Sequence, residues 1–208
     1  MKKIVFCLRP IGLLSLGHAH PRSLGPDIPF ATKPVASSGG VVRVPYVPGP
    51  SVKGALRSAA SRVARAFGFT SCGEGLSKSM RSCDVCALFG EPGVDHPKLF
   101  FSDFLPDGEV RLHTLTRVMI DDASSTVSEH VLFTVECAVR PTVFKGEVSF
   151  RELSERELKL LLLSMAELRL DRFGRSSSVD LKIEKVEGFV VPVRLKGIFG
   201  GLSEWLWA

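Results

Sequence analysis

The sequence predicts an α+β fold from two observations. Two helical segments of clear 3.6-residue apolar periodicity interrupt a set of short branched and aromatic runs, and the order is strand, helix, strands, helix, strand. That order is the one of a ferredoxin-like (RRM-like) sandwich with long insertions. A length of 208 residues with 45% hydrophobic content supplies a core for one such domain, residues 1–208, with insertions at about 12–49, 69–97 and 121–131.

Ile4-Val5-Phe6-Cys7-Leu8, bounded by Pro10 and Gly12, reads as a buried first strand. Residues 12–49 are rich in glycine and proline and poor in periodic apolar positions, so they read as a long connection with a hairpin around 41–47. The first helix has Ser51 as its expected N-cap and Gly68 as its stop. Val52, Leu56, Ala59, Ala60 and Val63 define its apolar side, and Lys53, Arg57, Arg62 and Arg65 lie on the other with no acid among them. The second helix opens with the capping box Ser154-x-x-Glu157 and runs to about Leu170. Strands are expected at 99–104, 117–121, 131–139, 143–150, 181–186 and 189–195. The tail 198–207 holds both tryptophans and is expected to pack back on the domain or to serve a neighbouring subunit.

Charge is unevenly distributed. Residues 1–73 carry ten lysines and arginines against the single acid Asp27, whereas the remainder carries seventeen against twenty-one. A polyanion would therefore be met mainly by the first third of the chain. No apolar stretch reaches the roughly 18 residues of a membrane span, and the run after Lys2-Lys3 is too short for a secretory signal. The chain reads as soluble and cytoplasmic, with no membrane partner, and its five cysteines as thiols or metal ligands.

At the first helix, proline and glycine deliver the chain into a turn whose amides near Val52, Lys53 and Gly54 are expected to face a bound anion. Lys53 and Arg57 add full charges, and Gly54 presents no side chain to an approaching RNA backbone. Arg9, Arg117 and Arg175 are further candidates for phosphate contact or base stacking. Cys72, Cys83, Cys86 and His96 form C-x10-C-x2-C-x9-H, which suits a closed, structural tetrahedral Zn2+ site, with His113 able to replace His96. A disulfide from Cys72 to Cys83 or Cys86, or free thiols, are the alternatives. His18 and His20 would permit metal-free acid-base cleavage of RNA.

Val44-Pro45-Tyr46-Val47-Pro48-Gly49-Pro50-Ser51-Val52-Lys53-Gly54-Ala55-Leu56-Arg57 resembles the signature P-x-I-P-G-S-S-L-K-G-x-L-R of the RAMP superfamily, the RNA-binding subunits of CRISPR effector complexes. Cys83-Asp84-Val85-Cys86-Ala87-Leu88-Phe89-Gly90 is similar to its C-x-x-C-x-L-F-G. Thr116-Arg117-Val118-Met119-Ile120-Asp121 with Leu132-Phe133-Thr134-Val135-Glu136 resembles its central hairpin, and Arg172-Phe173-Gly174-Arg175-Ser176-Ser177-Ser178 stands where the family has a glycine-rich loop. At Val179-Asp180-Leu181-Lys182 the chain lacks the family's usual G-x-G.

Within the superfamily the likeness is to the type III backbone subunit, which polymerises along the guide RNA. The resemblance implies guide-RNA contacts at Ser51, Lys53, Gly54, Arg57, Arg117, Arg172, Arg175 and Ser176, with Arg9 beside them. It implies a thumb between Ile120 and Val131 wedged into the guide–target duplex, other effector subunits as partners and an RNA-dependent homo-oligomer. It also implies that Asp27 binds Mg2+ and cuts the target RNA, although an aspartate there could equally cap the turn before Ile28-Pro29. A repeat-processing endoribonuclease using His18 and His20, or an inactive structural subunit, are the other readings.

Overall fold

The computed structural model describes residues 1–17, 25–37, 39–72, 83–91, 98–120, 127–174 and 177–207. His18, His20, His96, Arg175 and Ser176 lie outside them. β1 (Lys2–Pro10) takes the centre of the main sheet because its apolar run is buried on both faces. It pairs antiparallel with β8 (Phe144–Phe150) on one side and β10 (Ser177–Glu187) on the other. The short β4 (Phe100–Phe101) and β5 (Leu105–Pro106) extend the β8 edge, and β9 (Arg172–Phe173) pairs with the start of β10. The order β4-β8-β1-β10-β9, with one helix after β1 and another after β8, is the ferredoxin-like sandwich that the sequence predicts.

Ile4, Phe6 and Leu8 of β1, Phe144, Val148 and Phe150 of β8, and Val179, Leu181 and Ile183 of β10 alternate onto one face. They join the buried stripes of α1 (Gly49–Ala64) and α3 (Glu155–Leu168) in one core. α3 starts at the expected capping box: Ser154 Oγ accepts from the Glu157 amide and Glu157 Oε2 accepts from the Ser154 amide at 2.9 Å. It is buried around most of its circumference because α1, α2 (Asp84–Phe89) and α4 (Lys196–Leu202) all pack against it.

Several boundaries differ from expectation for identifiable reasons. Pro48, not Ser51, is the N-cap of α1, since Gly49 and Pro50 already adopt helical geometry. The helix does end at Gly68, reached through a 3-10 turn over Arg65–Phe67, with Gly68 at φ 73° where a side chain would be strained. Residues 189–195 form no strand. Gly188 turns the chain away after β10, and Pro192, which has no amide to donate, leads into a 3-10 turn over Val193–Leu195 and then α4.

Outside the main sheet, the described residues form two antiparallel ribbons. β2 (Thr32–Ser37) and β3 (Gly40–Pro45) make a hairpin that begins earlier than 41–47. β6 (Leu112–Ile120) and β7 (Val127–Ala138) make a longer one. Leu14 is stitched to β7 by reciprocal bonds with Ala138 at 2.9 and 2.8 Å, and Ile28 by bonds to Thr134 O and from Glu136 N at 2.9 Å each. The long connection is thus tied to β7 at these two points.

The tail packs back on the domain. Asp180, fully buried, accepts from Arg169 Nε at 2.9 Å and from the Trp207 amide at 2.9 Å, while Arg169 also donates to Gly201 O and Glu204 O at 2.6 and 2.8 Å. Among the described residues no helix is long and apolar enough to cross a membrane.

Candidate nucleic-acid interface

The start of α1 is built by close approach. A Cβ on Gly49 would lie 2.6 Å from the carbonyl oxygens of Phe101 and Ser102, so only glycine lets the turn sit against this segment. Its amide donates to Asp103 Oδ1 at 3.0 Å. Pro48 and Pro50 have no amide, and those of Ser51 and Val52 donate to Pro48 O at 2.9 and 3.2 Å. The helix start therefore has no amide left for an external anion, contrary to the expectation from its sequence. Asp103 occupies that role from within. Burial opposes its ionisation, but bonds from Lys33 and Gly49 hold its carboxyl below the ordinary range.

The faces of α1 then divide the signature. Ser51, Gly54, Ala55, Ser58 and Arg62 line an open groove of about 520 Å³ whose other wall is Leu16 and Asp171–Gly174. A Cβ on Gly54 would meet nothing within 4 Å, so this stretch of the wall is bare backbone. Arg172 is exposed at the rim, and Gly174 has φ 72°. Arg62 is held by Glu167 at 3.2 Å and Asp171 at 2.7 Å, which neutralise its charge. The structure thus brings Ser51 and Gly54 together with Arg172 across one groove.

Lys53 and Arg57 lie on another side of α1. Burial, and then the charge of Arg57, push the Lys53 ammonium below its ordinary range. Arg57 donates from Nη1 to Gly90 O at 2.6 Å and from Nη2 to Cys86 Sγ at 3.2 Å. Cys86 and Cys83 belong to α2 and its N-cap, and the Sγ atoms of Cys72, Cys83 and Cys86 lie within 4.8 Å of one another, with Cys72 and Cys86 3.4 Å apart. A metal–sulfur distance of about 2.3 Å sets tetrahedral S–S edges near 3.8 Å, so the three thiols fit three corners of a metal site. All three are free thiols. His113, on β6, is not among the residues clustered with these thiols.

Asp27 is exposed, and its Oδ2 accepts from both the amide and the hydroxyl of Thr134 at 2.7 and 2.8 Å, while its own amide donates to Thr134 Oγ1 at 2.9 Å. These bonds hold its carboxyl below the ordinary range and fix it against β7. Arg117 is half-buried in β6 opposite Phe133, with its Nε buried and unpaired.

A family model described as the RAMP superfamily matches residues 31–179, well over half of the chain. The chain belongs to the RAMP superfamily. This membership carries a CRISPR-associated, RNA-binding function. No curated protein matches the sequence.

In this RAMP protein the open face of the sheet is unlike the stacking platform of an RRM. The aromatic residues of β1 and β8, Phe6, Phe144 and Phe150, all lie in the core. The open face instead carries the ion pairs Lys3–Glu147 at 2.8 Å, Lys145–Glu184 and Lys185–Glu187 at 2.6 Å. Cys7 beneath them is pushed up to about 12 by burial and by its bond to Glu184, which leaves it a neutral thiol. Arg9 is drawn to Asp180 at 3.4 Å and to Trp207 O, and stacks on Trp205 with its guanidinium 4.4 Å from the ring centroid. The sequence reading missed Asp103, Thr134 and Asp180 as partners. Each is a polar residue inside or beside an apolar run, the only local signal it gave.

Proposed function

We propose that this chain is a guide-RNA-binding backbone subunit of a type III CRISPR effector. The groove between α1 and the 171–174 segment carries the reading. It joins the bare backbone at Gly54 and the Ser51 and Ser58 side chains to Arg172, with Arg175 and Ser176 next in sequence, and it is open along its length as a single strand requires. The segment between Ile120 and Val131, which joins β6 to β7 in sequence, is the thumb. Guide RNA bridges successive copies into a homo-oligomer alongside other effector subunits, and base pairing supplies the sequence specificity.

Asp27 is the residue we assign to metal-dependent cleavage of the target RNA. Its carboxylate is exposed, ionised at neutral pH and aimed by Thr134, properties a Mg2+ ligand needs. Mg2+ held there would supply charge neutralisation at the scissile phosphate. The Thr134 clasp also favours a second reading, an inactive subunit in which Asp27 only fixes the loop. Asp27→Asn in the assembled complex separates them: loss of Mg2+-dependent cleavage with guide binding intact supports the assignment, and unchanged cleavage rejects it.

The cysteine cluster is proposed as a structural Zn2+ site, with Cys72, Cys83 and Cys86 as ligands and His96 as the fourth. Three thiols and one imidazole leave no open position, so the metal would stabilise the segment between α1 and β4 and take no part in cleavage.

A further inference from the structure

Arg57 ends the stretch of signature whose basic residues suggest phosphate contact, yet its guanidinium is turned away from the groove. One nitrogen donates to Gly90 O, the C-cap of α2, and another to Cys86 Sγ within α2. A planar fork with two acceptors on one short helix fixes both where that helix ends and where the sulfur points. Behind it, Leu56 and Ala60 are buried in the core, so the fork hangs from a rigid support.

We propose that Arg57 is a positioning residue of the cysteine centre and not a phosphate contact. It acts through Cys86, holding the sulfur where it can share a cation with Cys72 and Cys83 and donating a charge-assisted N–H to the ligating thiolate. This rests on the zinc reading above. It also links the metal segment to α1, the helix whose other side lines the groove. A lysine could reach one of the two acceptors but could not span both, so conservation of charge alone would not preserve the arrangement.

The test uses the full chain as wild type, Arg57→Lys and Arg57→Ala. Zn2+ affinity is measured by competition with a chromogenic chelator, the thiolate-to-metal absorption is recorded with Co2+, and the salt dependence of single-stranded RNA affinity is measured in parallel. Arg57→Ala is expected to weaken Zn2+ binding about 10- to 100-fold, the usual effect of losing an outer-shell partner, and to shift the Co2+ spectrum. Arg57→Lys is expected to recover part of the affinity, and the salt slope for RNA should stay at the wild-type value. If Arg57→Ala does not fold, Arg57→Lys carries the test, and wild-type Zn2+ affinity in that variant overturns the proposal. It is equally overturned if Zn2+ affinity is unchanged in Arg57→Ala while the RNA slope falls by about 0.7, the signature of one lost phosphate contact. A wild-type chain that binds neither Zn2+ nor Co2+ rejects the zinc reading itself, and the role of Arg57 with it.

Discussion

Gly54 allows stability and RNA binding to be moved in opposite directions. It is the sixth residue of the sixteen-residue α1, it is exposed, and an added Cβ would touch nothing. Gly54→Ala should therefore stabilise the fold by about 0.5–1 kcal/mol through helix propensity alone, or roughly 1–4 °C in Tm for a chain of this size. Gly54→Glu keeps most of that gain, since glutamate is also a good helix former, but places a carboxylate in the groove. A phosphate at roughly 6 Å would be repelled by about 0.7 kcal/mol at the dielectric of water and about 2.8 kcal/mol at an effective value of 20. That is a loss of about threefold to a hundredfold in affinity. Thermal unfolding and fluorescence anisotropy with a fluorescent single-stranded RNA read the two effects separately. Wild-type RNA affinity in a folded Gly54→Glu variant would show that RNA does not occupy this groove.

Other consequences concern the supports of the fold. Asp180→Ala leaves the buried Arg169 without its carboxylate and should destabilise the chain by about 3–5 kcal/mol, measured by chemical denaturation; a change under about 1 kcal/mol would mean that the network contributes little. Burial opposes ionisation of Asp84, but bonds from Arg156 and Thr70 outweigh it and keep the carboxyl below its ordinary range. The stability this gives is present above the unfolded-state value near 3.9 and is lost as pH falls through the lower folded-state value, so Asp84→Asn should be destabilised at pH 7 and lose less than wild type on acidification, as followed by urea titration between pH 6 and 2. A strong chelator should lower the Tm and added Zn2+ restore it, with one metal per chain by elemental analysis; no response of Tm to either would remove the structural role of the metal.

The sandwich was legible because its elements obey local rules. β1 reads as a continuous branched run, α3 announces its start through Ser154 and Glu157, and Gly68 stops α1 where its φ demands. What escaped was set by distant partners. The N-cap of α1 moved to Pro48 because Asp103, more than fifty residues away in sequence, receives the Gly49 amide. Helical spacing placed Lys53, Arg57 and Arg62 on one basic side, but it could not show that Cys86 would claim Arg57 or that Glu167 and Asp171 would claim Arg62. Arg9 carries the same lesson, since Asp180 and the tail take it up from the far end of the chain. Charge surplus in residues 1–73 is therefore a poor guide to the individual residues, because several of its cations are spent within the fold. Gly54 was legible as a bare stretch of helix because that rests on its own residue type, whereas the groove it lines with Ser51 exists only once Arg172 is brought across from the other side of the core.

The most direct measurement is the slope of RNA affinity against salt for the wild-type chain and for Arg172→Ala. Phosphate contacts along the groove predict a wild-type log–log slope of about −0.7 for each neutralised phosphate of a single strand, and a slope about 0.7 shallower in Arg172→Ala. Equal slopes in the two proteins, or a wild-type affinity indifferent to salt, would contradict RNA binding at this groove.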